Sequence, residues 1–120
     1  MSYTALNLSQ LQAQIDEHWS PKIIAQMNDY HFKLAKVLGE FVWHSHSDTD
    51  EAFIILDGTL IIEFRDGHVT LEKGEMFVVP KGIEHRPIAK TECQLLLIEP
   101  AGTVNTGGSS GSFTAEEAWL

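Results

Sequence analysis

Four dipeptides ending in glycine punctuate the middle of the chain: Asp57-Gly58, Asp66-Gly67, Lys73-Gly74 and Lys81-Gly82. Glycine tolerates the positive φ that tight hairpin turns demand, so such a dipeptide between two apolar runs marks a hairpin. The apolar runs are short: 52–56, 60–65, 69–72, 76–80, 85–89 and 94–99. None has the length of an ordinary helix. Leu60, Ile62 and Phe64 alternate with Ile61, Glu63 and Arg65, giving that strand a core side and a mixed side. Upstream, Ile23, Ile24 and Met27 mark a strand and Asn28-Asp29 a turn. Phe32, Leu34, Lys36 and Leu38 then alternate with Lys33, Ala35 and Val37 in a second strand that runs to Gly39. Many short strands with regular turns predict an all-β sandwich or barrel.

Residues 53–56 and 95–98 are apolar on both sides. Both of their faces need cover, the inner from the barrel interior and the outer from an N-terminal helix or a second subunit. A homodimer is the expectation. That helix is predicted over residues 4–19, where Leu8, Leu11, Ile15 and Trp19 form one stripe and Pro21 ends it. Beyond Pro100, residues 101–112 have few apolar anchors and read as a linker. Thr114 and Glu117 have the spacing of a capping box for a last short helix through Trp119. The 120 residues suit one domain. Its parts are expected to be an N-terminal helical segment (1–21), a barrel (22–100) and a tail with a short helix (101–120).

A net charge of −9 and the lack of any Lys/Arg cluster argue against nucleic acid and anionic membrane surfaces as partners. No apolar stretch approaches the roughly 20 residues of a membrane span, and no signal peptide is visible. The expected location is the cytoplasm. The single cysteine, Cys93, opens an apolar run and reads as a buried small hydrophobe.

The chemistry concentrates at His44-Ser45-His46-Ser47-Asp48-Thr49-Asp50-Glu51. Side chains at i and i+2 of an extended strand point to the same side, so His44 and His46 can reach one point. A loop over 47–50 returns Glu51 beside them. Two neutral imidazoles and a carboxylate suit a first-row divalent metal. His85, after the turn Pro80-Lys81-Gly82, is a fourth candidate. His18, His31 and His68 read as uninvolved. Asp48 and Asp50 read as acceptors for loop backbone N–H groups. Phe41 and Trp43 have the parity that faces away from His44 and read as packing residues, whereas Phe53 shares the parity of Glu51 and is expected to line the cavity. Arg86 has the opposite parity to His85, which makes an anion-binding role doubtful.

Gly39, His44, His46, Glu51 and Gly58 form one ordered set, and Gly74, Pro80, Gly82 and His85 a second. Together they resemble the two motifs of a small single-domain cupin, over residues 22–100. Gly39 is one residue closer to His44 than the usual spacing, and Ala89 stands where the second motif usually has Asn. The resemblance implies a jelly-roll β-barrel, often dimeric, with His44, His46, Glu51 and His85 around one ion. Iron, manganese, nickel, zinc and copper all accept such ligands.

Three functions compete on this basis. The first is a metal-dependent enzyme acting on a small oxygenated substrate, as an isomerase or a dioxygenase. The alternative is a non-enzymatic small-molecule or metal-binding and sensing protein. The third is a barrel with a vestigial site. A sugar-phosphate substrate would call for convergent cations, and only Lys33, Lys36, Arg65, Lys81 and Arg86 offer themselves. No catalytic base stands out beyond the four candidate ligands.

Overall fold

The glycine-marked turns are realised as antiparallel sheet. The computed structural model describes residues 2–108 and 111–120. These form α1 (Leu8–Gln12), β1 (Lys22–Met27), β2 (Tyr30–Glu40), β3 (Glu51–Asp57), β4 (Leu60–Phe64), β5 (Gly67–Leu71), β6 (Met76–Val79), β7 (His85–Pro100) and β8 (Ala118–Trp119). The all-β cupin-type barrel expected from the sequence is the fold observed. No helix among the described residues is long and apolar enough to cross a membrane.

Two long strands, β2 and β7, tie the barrel together. The second half of β7 pairs with β2 on one side and β3 on the other, through His31↔Glu99 and Ala52↔Ile98. Its first half pairs with β4 and with the end of β2, through Phe64↔His85 and Gly39↔Ala89. β6 extends the sheet beyond β3, and β5 extends it beyond β4. The inward positions of β7 are His85, Pro87, Ala89, Cys93, Leu95, Leu97 and Glu99, all buried. Side chains such as Val37, Phe53, Ile55, Leu60, Ile62 and Leu95 fill the interior. Each large one contributes roughly 1.5–3 kcal/mol by burial. At the β3–β4 turn Gly58 has φ +86°, and a Cβ there would lie 2.9 Å from the Glu92 carbonyl oxygen. Only glycine fits that approach.

Two expectations at the ends are corrected. The helix of residues 4–19 is reduced to Leu8–Gln12, capped by Asn7, whose side chain accepts the Gln10 N–H. Its stripe is still used, since Ile15 is buried and Trp19 packs on the core. The chain reaches those positions extended because β2 offers better partners. Gln12 Nε2 donates to Ala35 O, Trp19 N to Lys36 O, and Trp19 Nε1 to Leu38 O. The C-terminal helix is absent from the described residues. Thr114 Oγ1 accepts the Gly111 N–H, and Glu117 accepts bonds from Gly102 N and Lys33 Nζ. Ala118 and Trp119 then pair in parallel with Lys22 and Ile23. Part of the expected linker is likewise docked, Thr106 being 1% exposed. Ser109 and Ser110 of that expectation, like Met1, lie outside the described residues.

Candidate metal centre

Local backbone pairing sets the four side chains. His44 and His85 exchange N–H···O bonds of 3.0 and 2.9 Å, which holds the histidine loop against the start of β7. Gly82 N donates to His46 O at 2.8 Å, and Lys81 N donates to Asp50 Oδ1 at 2.9 Å. The turn before His85 is thus clamped to the loop that carries His46, and Asp50 has the backbone-satisfying part expected of it. Glu51 opens β3 and faces inward.

The result is a compact set of donors. One ligand atom from each of His44, His46, Glu51 and His85 lies within 4.8 Å of the other three, and all four residues are buried. Nδ1 of His44 bonds Val42 O, and Nδ1 of His85 bonds Ile83 O, both at 2.9 Å. A carbonyl accepts only from a protonated nitrogen, so in the neutral form of either ring the lone pair sits on Nε2. Glu51 Oε1 is 3.5 Å from Nε2 of His46 and of His85. Those two nitrogens are buried without a hydrogen-bond partner. Ring nitrogens without a hydrogen bond, gathered around one carboxylate oxygen, fit a divalent cation. Burial first, and His85 next, push His44 down to about 4, so its ring is neutral at pH 7. Burial opposes the charge on Glu51, but contacts with His46, His85 and Glu99 outweigh it and hold the carboxyl well below its usual range.

Behind Glu51 lies a buried polar chain that the sequence reading missed. Glu99 is 1% exposed, and its carboxyl and that of Glu51 shift one another's ionisation. Lys33 Nζ, also buried, is 2.9 Å from Glu99 Oε1 and 3.0 Å from Glu117 Oε2. His31 Nδ1 lies 3.5 Å from Glu117 Oε1. Burial first, then Glu51, push Glu99 up to about 9 against the pull of Lys33. Burial likewise opposes the Lys33 charge, but Glu99 and Glu117 hold the ammonium above its usual value. The two shifts differ on whether Glu99 is the anion of this pair, and the geometry resolves the difference. Oε1 serves Lys33, while Oε2 has no bonded partner. A proton on Oε2 satisfies that oxygen and gives Glu51 a donor. Strand parity was the available signal: Lys33 shares the inward face with Ala35 and Val37, and Glu99 with Leu95 and Leu97.

A cavity of about 40 Å³ abuts His44 and Glu51. Phe53 lines it, as expected. Phe41 corrects its parity assignment: it is 6% exposed, lines the cavity and sits 5.3 Å ring to ring from His44. β2 ends at Glu40, so strand alternation no longer applies there. Trp43 stacks under Arg65 at 3.7 Å, away from the cavity. Arg86 is bound to Glu63 and Glu40, and His68 is exposed. His18 pairs with Glu92 at 2.8 Å. Cys93 is buried, and burial with Asp57 nearby pushes its thiol up to about 12.

The fold and this donor set define a small single-domain cupin. The cupin domain family matches residues 31–99, more than half of the chain, and the chain belongs to that family. It is similar to a cupin-2 domain containing protein of Shewanella frigidimarina, at 58% identity and a TM-score of 0.78, over 79% of this chain and 93% of that one. Protein NMB1881 of Neisseria meningitidis is 39% identical with a TM-score of 0.75, over 82% and 100% of the two chains. YdbB of Bacillus subtilis is 37% identical over 81 residues, 67% of this chain and 72% of that protein.

Proposed function

We propose that the protein is a metal-dependent enzyme acting on a small oxygenated substrate, with one divalent ion (Fe, Mn, Ni or Zn) held by His44, His46, Glu51 and His85. The observation that carries this reading is the pair of buried, unpartnered Nε2 atoms of His46 and His85 facing one Glu51 oxygen. Four protein ligands leave a six-coordinate ion two positions for a chelating substrate. When bound, the ion supplies Lewis acidity for an isomerisation or, if redox-active, the means to use O₂. The chain's own residues do the rest. Glu51 stays anionic, His44 stays neutral, Glu99 supports Glu51 from behind, and Val37, Phe41 and Phe53 give the cavity an apolar lining. Among the described residues no Lys or Arg lines that cavity, which speaks against a sugar phosphate. The same lining holds no titratable group besides His44 and Glu51 and so supports a second reading, a non-enzymatic binding or sensing protein.

The reading includes a homodimer. Met76 and Val78 of β6, 54% and 45% exposed, pair in register with Ile54 and Ala52 of β3. Those residues in turn pair with Leu96 and Ile98 of β7, so the outer face of the sheet is continuously apolar. α1 and Leu56 line a common cleft at one end of that face, and a second copy would cover the remainder. The reading also places the protein in the cytoplasm, where the unpaired Cys93 thiol stays reduced. The test is metal content after purification without added metal. Native protein should carry about one equivalent per chain, lost in folded His44→Ala, His46→Ala and His85→Ala. Full metal content in any of the three refutes the ligand set.

A further inference from the structure

We infer that the segments flanking the family-matched barrel complete the metal pocket and restrict it to small chelators with an uncharged, apolar body. The inference rests on the metal reading above. Trp19, Pro21 and Asn105 line the cavity from outside residues 31–99. The Trp19 ring stacks on Phe41 with centroids 4.7 Å apart, and Phe41 in turn faces His44. Phe113 of the C-terminal segment backs both rings, at 5.4 Å from Phe41 and 6.2 Å from Trp19. Asn105 pins this arrangement. Its Nδ2 donates to Phe113 O at 2.8 Å, and its Oδ1 accepts the Ala115 N–H at 3.0 Å. One wall of the cavity is therefore assembled with segments from both ends of the chain.

The cavity's size and chemistry define what fits. Its volume of about 40 Å³ compares with the roughly 10–15 Å³ that one water needs, so it holds about three waters or one ligand of a few heavy atoms. Beyond His44 and Glu51 the lining is almost wholly apolar, with Val37, Leu95 and Leu97 joining the aromatic rings. Such walls leave a charged body without solvation, while two oxygens of a chelator would be satisfied at the metal. Trp19 sets the limit on size directly, and Phe113 does so by holding Trp19 and Phe41 in place.

The test uses cobalt(II)-loaded protein and the visible cobalt band as readout. Acetohydroxamate and benzohydroxamate offer the same pair of oxygens on bodies of different size, and oxalate offers two oxygens with charge and no apolar body. Native protein should bind acetohydroxamate at least about 10-fold more tightly than benzohydroxamate or oxalate. Trp19→Ala should raise benzohydroxamate affinity about 10-fold while leaving acetohydroxamate within about 3-fold. Phe113→Ala, at a half-buried tail position outside the core cluster, should shift the ratio the same way and keeps the test available if Trp19→Ala fails to fold. Conservative Phe113→Leu should restore the native ratio. An unchanged ratio in a folded variant overturns the inference. Equal native affinity for the two hydroxamates also overturns it, and would place the ligand in the wider cleft of about 480 Å³ that reaches His46 past Ser47 and Val104. Failure of native protein to take up cobalt refutes the metal reading itself, and the inference with it.

Discussion

Glu99→Gln separates two descriptions of the buried chain behind Glu51. A carboxyl pushed up to about 9 is protonated about 100 to 1 at pH 7. In the unfolded chain the same group ionises near 4.5. Its folded value is thus the higher, so its stabilising contribution is complete below 4.5 and is lost as pH rises to about 9. Taking up that proton at pH 7 costs the native fold about 3 kcal/mol, a cost that glutamine does not bear. Glutamine keeps an acceptor for Lys33 and a donor for Glu51. Urea denaturation with chelator present should show Glu99→Gln at least as stable as native at pH 7. From pH 7 to 9 native stability should fall by about 2 kcal/mol while the variant stays level. His44 is neutral throughout that window. Cys93, held at about 12, begins to contribute only near pH 9 and does so equally in both proteins. If Glu99 were instead the anion paired with Lys33, the variant would leave the buried ammonium with Glu117 as its anionic partner and would be less stable than native at pH 7. That result, with no native decline up to pH 9, would refute the proton placement.

Further outcomes follow from other parts of the molecule. His44 is depressed to about 4, so its contribution is present above pH 6.5 and is lost as pH falls toward 4. In a Glu99→Gln background, where the opposing slope is gone, metal-free stability should drop by up to about 3 kcal/mol across that range by urea titration, and by much less in His44→Gln. Gly107 has φ +61°, and a Cβ there would lie 2.1 Å from Ser45 O. Gly107→Ala should unseat the C-terminal segment, read as faster protease cleavage within residues 101–120 with the barrel intact. Light scattering at micromolar concentration should give a dimer mass for native protein and a monomer mass for Ile54→Lys; a native monomer removes the dimer from the reading.

The strands were legible because glycine turns and alternation are local signals. The candidate site was legible for the same reason: His44 and His46 share a face, and a short loop returns Glu51 to them. The ends were not legible. The stripe Leu8–Leu11–Ile15–Trp19 records burial correctly but does not say whether the backbone will bond to itself or to β2. Glu117 has capping spacing, yet a buried Lys33 far along the chain outbids a local cap worth about 1 kcal/mol. Lys33 and Glu99 escaped notice as a pair because their meeting depends on the β2–β7 register. Alternation could have flagged each as inward-facing, but only the pairing shows that they compensate one another.

The route of β7 through both halves of the barrel bears on how the protein reaches its folded state. Its partners are remote: His31 and Glu99 sit more than half the chain apart, yet lie side by side. Closing such pairings costs loop entropy before any contact rewards it, which places folding in the slow range typical of non-local β topologies. His85 stands at the first residue of β7, and His44 is fixed to it by backbone bonds. The four donors, drawn from residues 44 to 85, are therefore brought together by the folded barrel and not by local sequence. An ion bound as proposed would find its ligands assembled by the closed barrel and not by a local stretch of chain.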